Sequence, residues 1–157
     1  MRGALLKLAV LVAVLVGAFT WVFGFAQVEG NGMRPTAGDG DLALFYRLDK
    51  ELAARDLVVY EHDGRLLTGR IVAVPGDRVE VTEDGQLKIN GYVQDTLYGQ
   101  PTMPAHGGPS YPVTVGHDQY FVLGDGRTAA EDSREFGTVG IDDVQGKVIT
   151  LLRRREI

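Results

Sequence analysis

The chain contains no cysteine, two serines, three histidines and four lysines in 157 residues. Without cysteine there is no disulfide, no thiolate nucleophile and no thiolate-built metal site. His62, His106 and His117 stand among Asp, Gly and Pro residues with no H-E-x-x-H or comparable spacing. They read as solvated loop residues, so no metal and no cofactor are expected. Ser110 lies in the Gly- and Pro-rich run Gly107–Pro112, and Ser133 lies between Asp132 and Arg134. A nucleophilic hydroxyl needs a base within hydrogen-bond reach, and neither serine has one beside it in sequence. Lys7, Lys50, Lys88 and Lys147 all lie outside any long apolar run that would desolvate an amine and lower its pKa.

Basic residues are also scarce beyond the N-terminus. After the first 28 residues the chain holds 14 basic and 21 acidic residues, a formal charge of −7. Such a surface argues against nucleic acid as a partner. The local exception, Arg153 to Arg155, reads as a solvated tail.

One long hydrophobic run is present. Leu8 to Val28 carries no charge, and as a helix it would extend about 31 Å, the thickness of a bilayer core. Arg2 and Lys7 precede it and favour a cytoplasmic N-terminus, while Trp21, Phe23 and Phe25 gather at the far end, where aromatic rings prefer the interface. Gly24-Phe25-Ala26 offers the small residues of a cleavable signal peptide, but the length of the run favours an anchor. The expected organisation is a single-pass anchor over 1–28 and one extracellular domain over 29–157.

The rest has the periodicity of strands. Asp41–Tyr46, Asp56–Tyr60, Leu66–Val74, Arg78–Thr82, Leu87–Ile89, Gln119–Leu123 and Gly146–Leu152 are short and rich in Val, Leu, Ile and Tyr. Turn dipeptides such as Asp63-Gly64, Pro75-Gly76 and Asp84-Gly85 separate them. An all-β domain is expected. Arg47–Arg55 has the spacing of a brief helical turn, and residues 97–118 read as a long loop.

Gly30–Thr36, Gly38–Leu44, Thr68–Asp77, Leu87–Gly91 and Tyr120–Gly137 together resemble segments of the type I signal peptidases, Gly38–Leu44 being similar to the turn and strand after the nucleophile. Gly30-Asn31-Gly32-Met33-Arg34-Pro35-Thr36 is similar to the loop in which the residue before Met is the nucleophilic Ser. Gly69-Arg70 through Pro75-Gly76-Asp77 is similar to the strand whose first residue is the Lys base. Leu87-Lys88-Ile89-Asn90-Gly91 matches a family hairpin, and Tyr120 to Gly137 matches the long box built around Gly-Asp-Asn-Arg and Asp-Ser-Arg. The resemblance implies antiparallel β-sheets on a membrane anchor. It implies a peptide groove formed by Gly30, Asn31, Gly32, Met33, Pro35, Gly69, Arg70 and Ala130. It implies a structural box of Gly124, Asp125, Arg127, Asp132, Ser133 and Arg134. The departures fall on the chemistry. Gly32 stands at the Ser position and Gly69 at the Lys position. Ala130 replaces a Ser that supports the Lys, Gly126 replaces an Asn, and Gly30 stands where some members carry an oxyanion-hole hydroxyl.

From these departures the chain is expected not to be an enzyme. The expected role is a binding, chaperone or assembly factor for a pilin or another secreted membrane-proximal protein, near the sortase machinery, as in catalytically degenerate relatives of Gram-positive pilus assembly. The competing readings are a peptidase with relocated catalytic residues and an enzyme inactivated by engineering. Several changes at once argue against the last.

Overall fold

A computed structural model describes residues 2–95 and 97–154. The chain opens with helix α1, Arg2–Val22, followed at once by strand β1, Phe23–Gln27. The helix therefore ends short of the Leu8–Val28 expectation, and Phe23–Gln27 is already the first strand. The reason lies in the side-chain alternation. Gly24, Ala26 and Val28 are buried while Phe25 and Gln27 are exposed, a period of two inside an otherwise apolar run. Gly24 is fixed by packing, because a Cβ there would come within 2.3 Å of the Phe45 ring.

The strands that follow are β2 (Leu42–Tyr46), β3 (Leu57–His62), β4 (Arg65–Ala73), β5 (Arg78–Val81), β6 (Leu87–Ile89), β7 (Tyr92–Val93), β8 (Val113–Thr114), β9 (Gln119–Leu123), β10 (Val139–Gly140) and β11 (Val144–Leu152). A four-residue helix, α2 (Ser133–Phe136), lies between β9 and β10. They build a seven-stranded sheet in the order β1-β2-β11-β3-β4-β9-β10 and a four-stranded sheet in the order β7-β6-β5-β8. The strand pairs are antiparallel. The fold class is thus all-β with one N-terminal apolar helix.

Turn chemistry sets the registers. Asp63 and Gly64, between β3 and β4, both have positive φ, as do Asn90 and Gly91 between β6 and β7. Two central residues at positive φ give the hairpin turn whose twist matches that of the strands. Arg47–Arg55 forms no helix. The Asp49 and Asp56 carboxylates instead accept the backbone N–H groups of Glu51 and Ala53, and Arg55 sits at φ 80.

Three apolar clusters hold the layers together. Val58, Tyr60, Ile71 and Val122 lie on one face of the large sheet, while Ala26, Val28, Met33, Phe45 and Val59 lie on the other. Ala73, Val79, Leu87, Phe121 and Leu123 join the large sheet to the small one. Asp41 is buried at the base of the loop after β1, where the N–H groups of Gly38 and Arg154 donate to its carboxylate and hold its pKa below the usual value.

Candidate functional site

A cavity of about 140 Å³ opens where three segments converge: Val28–Met33 after β1, Arg65–Thr68 at the start of β4, and Ala129–Glu131 after β9. Gly30, Asn31, Gly32, Met33 and Ala130, five of the residues expected in the groove, line it. Pro35, Gly69 and Arg70 do not.

Gly69 is buried within β4 opposite Val58. A Cβ on it would meet Val122 Cγ1 at 2.4 Å and Tyr60 Cε1 at 3.2 Å, so the place of its missing side chain is taken by the core and not by the groove. Arg70 is committed elsewhere. Its Nε and Nη2 donate to the two carboxylate oxygens of Asp125 at 2.8 and 2.6 Å, and its Nη1 donates to the carbonyl of Arg55 at 3.0 Å. The hydrogen bonds to Asp125 raise its pKa above the ordinary guanidinium value.

The loop around Gly32 is pressed against the box. The Gly126 N–H donates to the Gly32 carbonyl at 2.9 Å. A Cβ on Gly124 would lie 2.3 Å from Ala130 Cβ and 2.4 Å from the Gly32 oxygen, and one on Gly126 would lie 2.5 Å from the Asn31 oxygen. Glycine at 126 is therefore what this approach of the two backbones requires. Gly32 itself is looser, since a Cβ there would meet Ala130 Cα at 3.1 Å.

The box is a buried electrostatic unit. Asp132 caps α2 by accepting the Arg134 N–H, and its carboxylate also accepts from the Gly124 N–H, Arg134 Nε and Arg134 Nη2 at 3.0, 2.8 and 2.9 Å. The Ser133 hydroxyl accepts the Val122 N–H at 2.9 Å. Ser133 thus belongs to the scaffold and has no base beside it. Asp125 takes Arg70 and the Thr36 hydroxyl.

The groove holds residues that sequence reasoning did not single out. Arg65 and Glu131 form an ion pair at 2.5 Å across its rim, Glu29 stands beside them, and Thr68 is the one side-chain hydroxyl among the lining residues. Only the hairpin register, which places the start of β4 against the box, could have revealed them. Lys147 pairs with Asp56 at 2.8 Å, and this raises its pKa, the opposite of an activated amine. Among the described residues no group of acidic or His side chains could hold a metal.

The arrangement is that of a β domain carried behind an apolar helix, with its groove between the post-helix loop, one strand start and a buried Asp-Ser-Arg box. The signal peptidase, peptidase S26 family model matches residues 2–152, and the chain belongs to that family. It is 32% identical to signal peptidase I of Bacillus licheniformis over 81% of this chain and 73% of the relative. It is 31% identical to signal peptidase I of Bacillus caldolyticus over 87% and 84%. Signal peptidase IB of Staphylococcus aureus strain Mu50 is 26% identical over 91% and 83%. The crystal structure of a signal peptidase I from Enterococcus faecalis V583 matches with a TM-score of 0.49 and 28% identity, covering 64% of this chain and 97% of that one.

This kinship corrects the expectation that the chain is not an enzyme. The relatives it matches over most of its length carry the name of an enzyme, and that name points to one here. The glycines at 32 and 69 remain facts about two positions.

Proposed function

We propose that the chain is a membrane-anchored signal-peptidase-family protein that takes an extended segment of a secreted protein into the groove beside β4. Its partner class is a pilin or another secreted protein caught near its own membrane segment, with the sortase machinery as neighbour. In that setting the chain acts as a capture and assembly factor. The observation that carries the reading is a free strand edge. β3 covers one side of β4 from Arg65 to Arg70, whereas β9 pairs with the other side only from Arg70 onward. Backbone donors and acceptors between Arg65 and Gly69 therefore face the cavity lined by Val28–Met33. An extended peptide adding to such an edge takes its affinity from main-chain hydrogen bonds.

Helix α1 is long and apolar enough to cross a membrane by length and composition. With Arg2 and Lys7 at its start, the favoured topology leaves the N-terminus in the cytoplasm and the domain outside. The groove loop then lies within a few residues of the bilayer, and so reaches only segments that are themselves membrane-proximal.

The test places a photo-crosslinking residue at Leu66 on the groove rim, or at exposed His117 as a control, in the full chain co-expressed with a pilin precursor. An adduct from position 66 and none from 117 is expected. Equal adducts, or none, would remove the reading. The same reaction is assayed for release of a mature N-terminus, because the family name makes hydrolysis the activity to look for first.

A further inference from the structure

A second cavity, of about 530 Å³, shares no lining residue with the groove and lies between β4 and the small sheet. We propose that it binds an amphiphilic oxyanion, a carboxylate or phosphate head on a short apolar body, with Arg127 and Arg55 at the head. Arg127 and Arg134 are about 5% exposed, and the Arg70 side chain is 17% exposed. They share two buried carboxylates. Both oxygens of Asp125 are engaged by Arg70, and both oxygens of Asp132 are engaged by Arg134.

Arg127 is left without a carboxylate partner among the described residues. Its Nε donates to the Gly124 carbonyl at 2.9 Å and its Nη1 to the Thr102 hydroxyl, while its Nη2 has no hydrogen-bond partner among them. A buried cation held only by neutral acceptors is costly, and burial accordingly lowers its pKa. The cavity supplies the place for a counter-ion, since Arg127 lines it.

The same wall carries Arg55, an exposed guanidinium with no ion pair among the described residues, against one lining carboxylate, Asp95. Ala54, Val72 and the exposed Val93 give the wall apolar surface, beside the polar Gln94, Tyr98 and the already paired Arg70. Guanidinium groups match carboxylate and phosphate oxygens edge to edge, and the apolar wall gives the body of the ligand a surface to cover. Inorganic anions alone would leave that wall wet.

The experiment titrates the full chain, in a non-ionic detergent, with hexanoate, hexyl phosphate, inorganic phosphate and hexanol at constant ionic strength, following heat and thermal midpoint. Saturable binding of hexanoate or hexyl phosphate is expected, with hexanol inert and inorganic phosphate weaker; the better of the two anions identifies the head group. Arg55→Gln should weaken binding about tenfold, the effect of losing one charge-assisted hydrogen bond. Arg127→Gln should abolish it. Should that variant fail to fold, Val93→Asp, which sets a like charge at the exposed mouth, takes its place and should weaken binding as much as Arg55→Gln. Hexanol binding as tightly as the anions, no binding by either anion, or unchanged affinity in Arg55→Gln and Val93→Asp would each overturn the proposal.

Discussion

The box from Tyr120 to Gly137 and the loop from Val28 to Met33 touch each other, yet they keep their side chains for different reasons. In the box, the two buried carboxylates are fully engaged: Asp132 alone receives two backbone N–H groups and two guanidinium nitrogens. In the loop, Val28 and Met33 are packed in the core, whereas Gly30 and Gly32 between them face an open cavity and are held by backbone alone, through the Gly32 carbonyl and the Gly30 N–H. A motif can thus persist because the fold needs it, and its presence by itself says nothing about turnover. The sharpest way to break this contrast is Asp132→Asn. It leaves Arg134 buried without a counter-charge, and removing one partner of a buried pair costs about 3–5 kcal/mol. Denaturant unfolding of the full chain in detergent should show a loss of that size. A change under about 1 kcal/mol, the range of exposed pairs, would mean that the box is not scaffold.

Gly32 and Gly69, which the resemblance pairs, separate in the same test. Around Gly69 the fully buried Val122 and Tyr60 fill the space of a side chain, whereas a Cβ on Gly32 would need only a few tenths of an ångström from Ala130. Gly69→Lys should therefore destabilise by about 1–3 kcal/mol through overpacking, and Gly32→Ser by about 1 kcal/mol or less. Val122→Ala removes the obstructing methyl, so Gly69→Lys combined with Val122→Ala should cost less than the two changes added together. Strict additivity in a double-mutant cycle would show that Val122 does not occupy the vacated position.

Much of this fold was legible in the sequence because its strands are bounded by turns with unambiguous chemistry. Leu87–Ile89 and Gln119–Leu123 were bounded correctly, and Asp63-Gly64 marked the hairpin that positions β4. β1 was hidden because Phe23–Gln27 continues an apolar run whose alternation is visible only once Phe45 is known to lie beneath Gly24. β7, β8 and β10 span two residues each, too short for any period to register. At the candidate site, Gly30, Asn31, Gly32, Met33 and Ala130 line one cavity. Arg70 lies outside that cavity, and its partner Asp125, 55 residues further along the chain, is not visible from local sequence. The departures at Gly30, Gly32, Gly69 and Ala130 do not by themselves decide activity, since relatives matched over most of the chain carry the name of an enzyme.

The smallest expected effect lies at the groove rim, and it sharpens the comparison from the other side. Arg65 and Glu131 have side chains 51% and 40% exposed, so water already solvates both ends of their ion pair. Exposed pairs contribute about 0–1 kcal/mol. Arg65→Ala and Glu131→Ala should accordingly leave unfolding nearly unchanged. Their consequence is kinetic. The pair closes across the mouth between the start of β4 and the box, so a peptide adding to the free edge of β4 must open it or pass beneath it, and rim charges act mainly on association rates. Either alanine variant should capture an uncharged extended peptide faster than the unsubstituted chain and show less dependence on salt, with stability held. If instead the variants unfold as readily as Asp132→Asn while capture rates stay fixed, the rim is scaffold like the box, and the division between the two regions disappears.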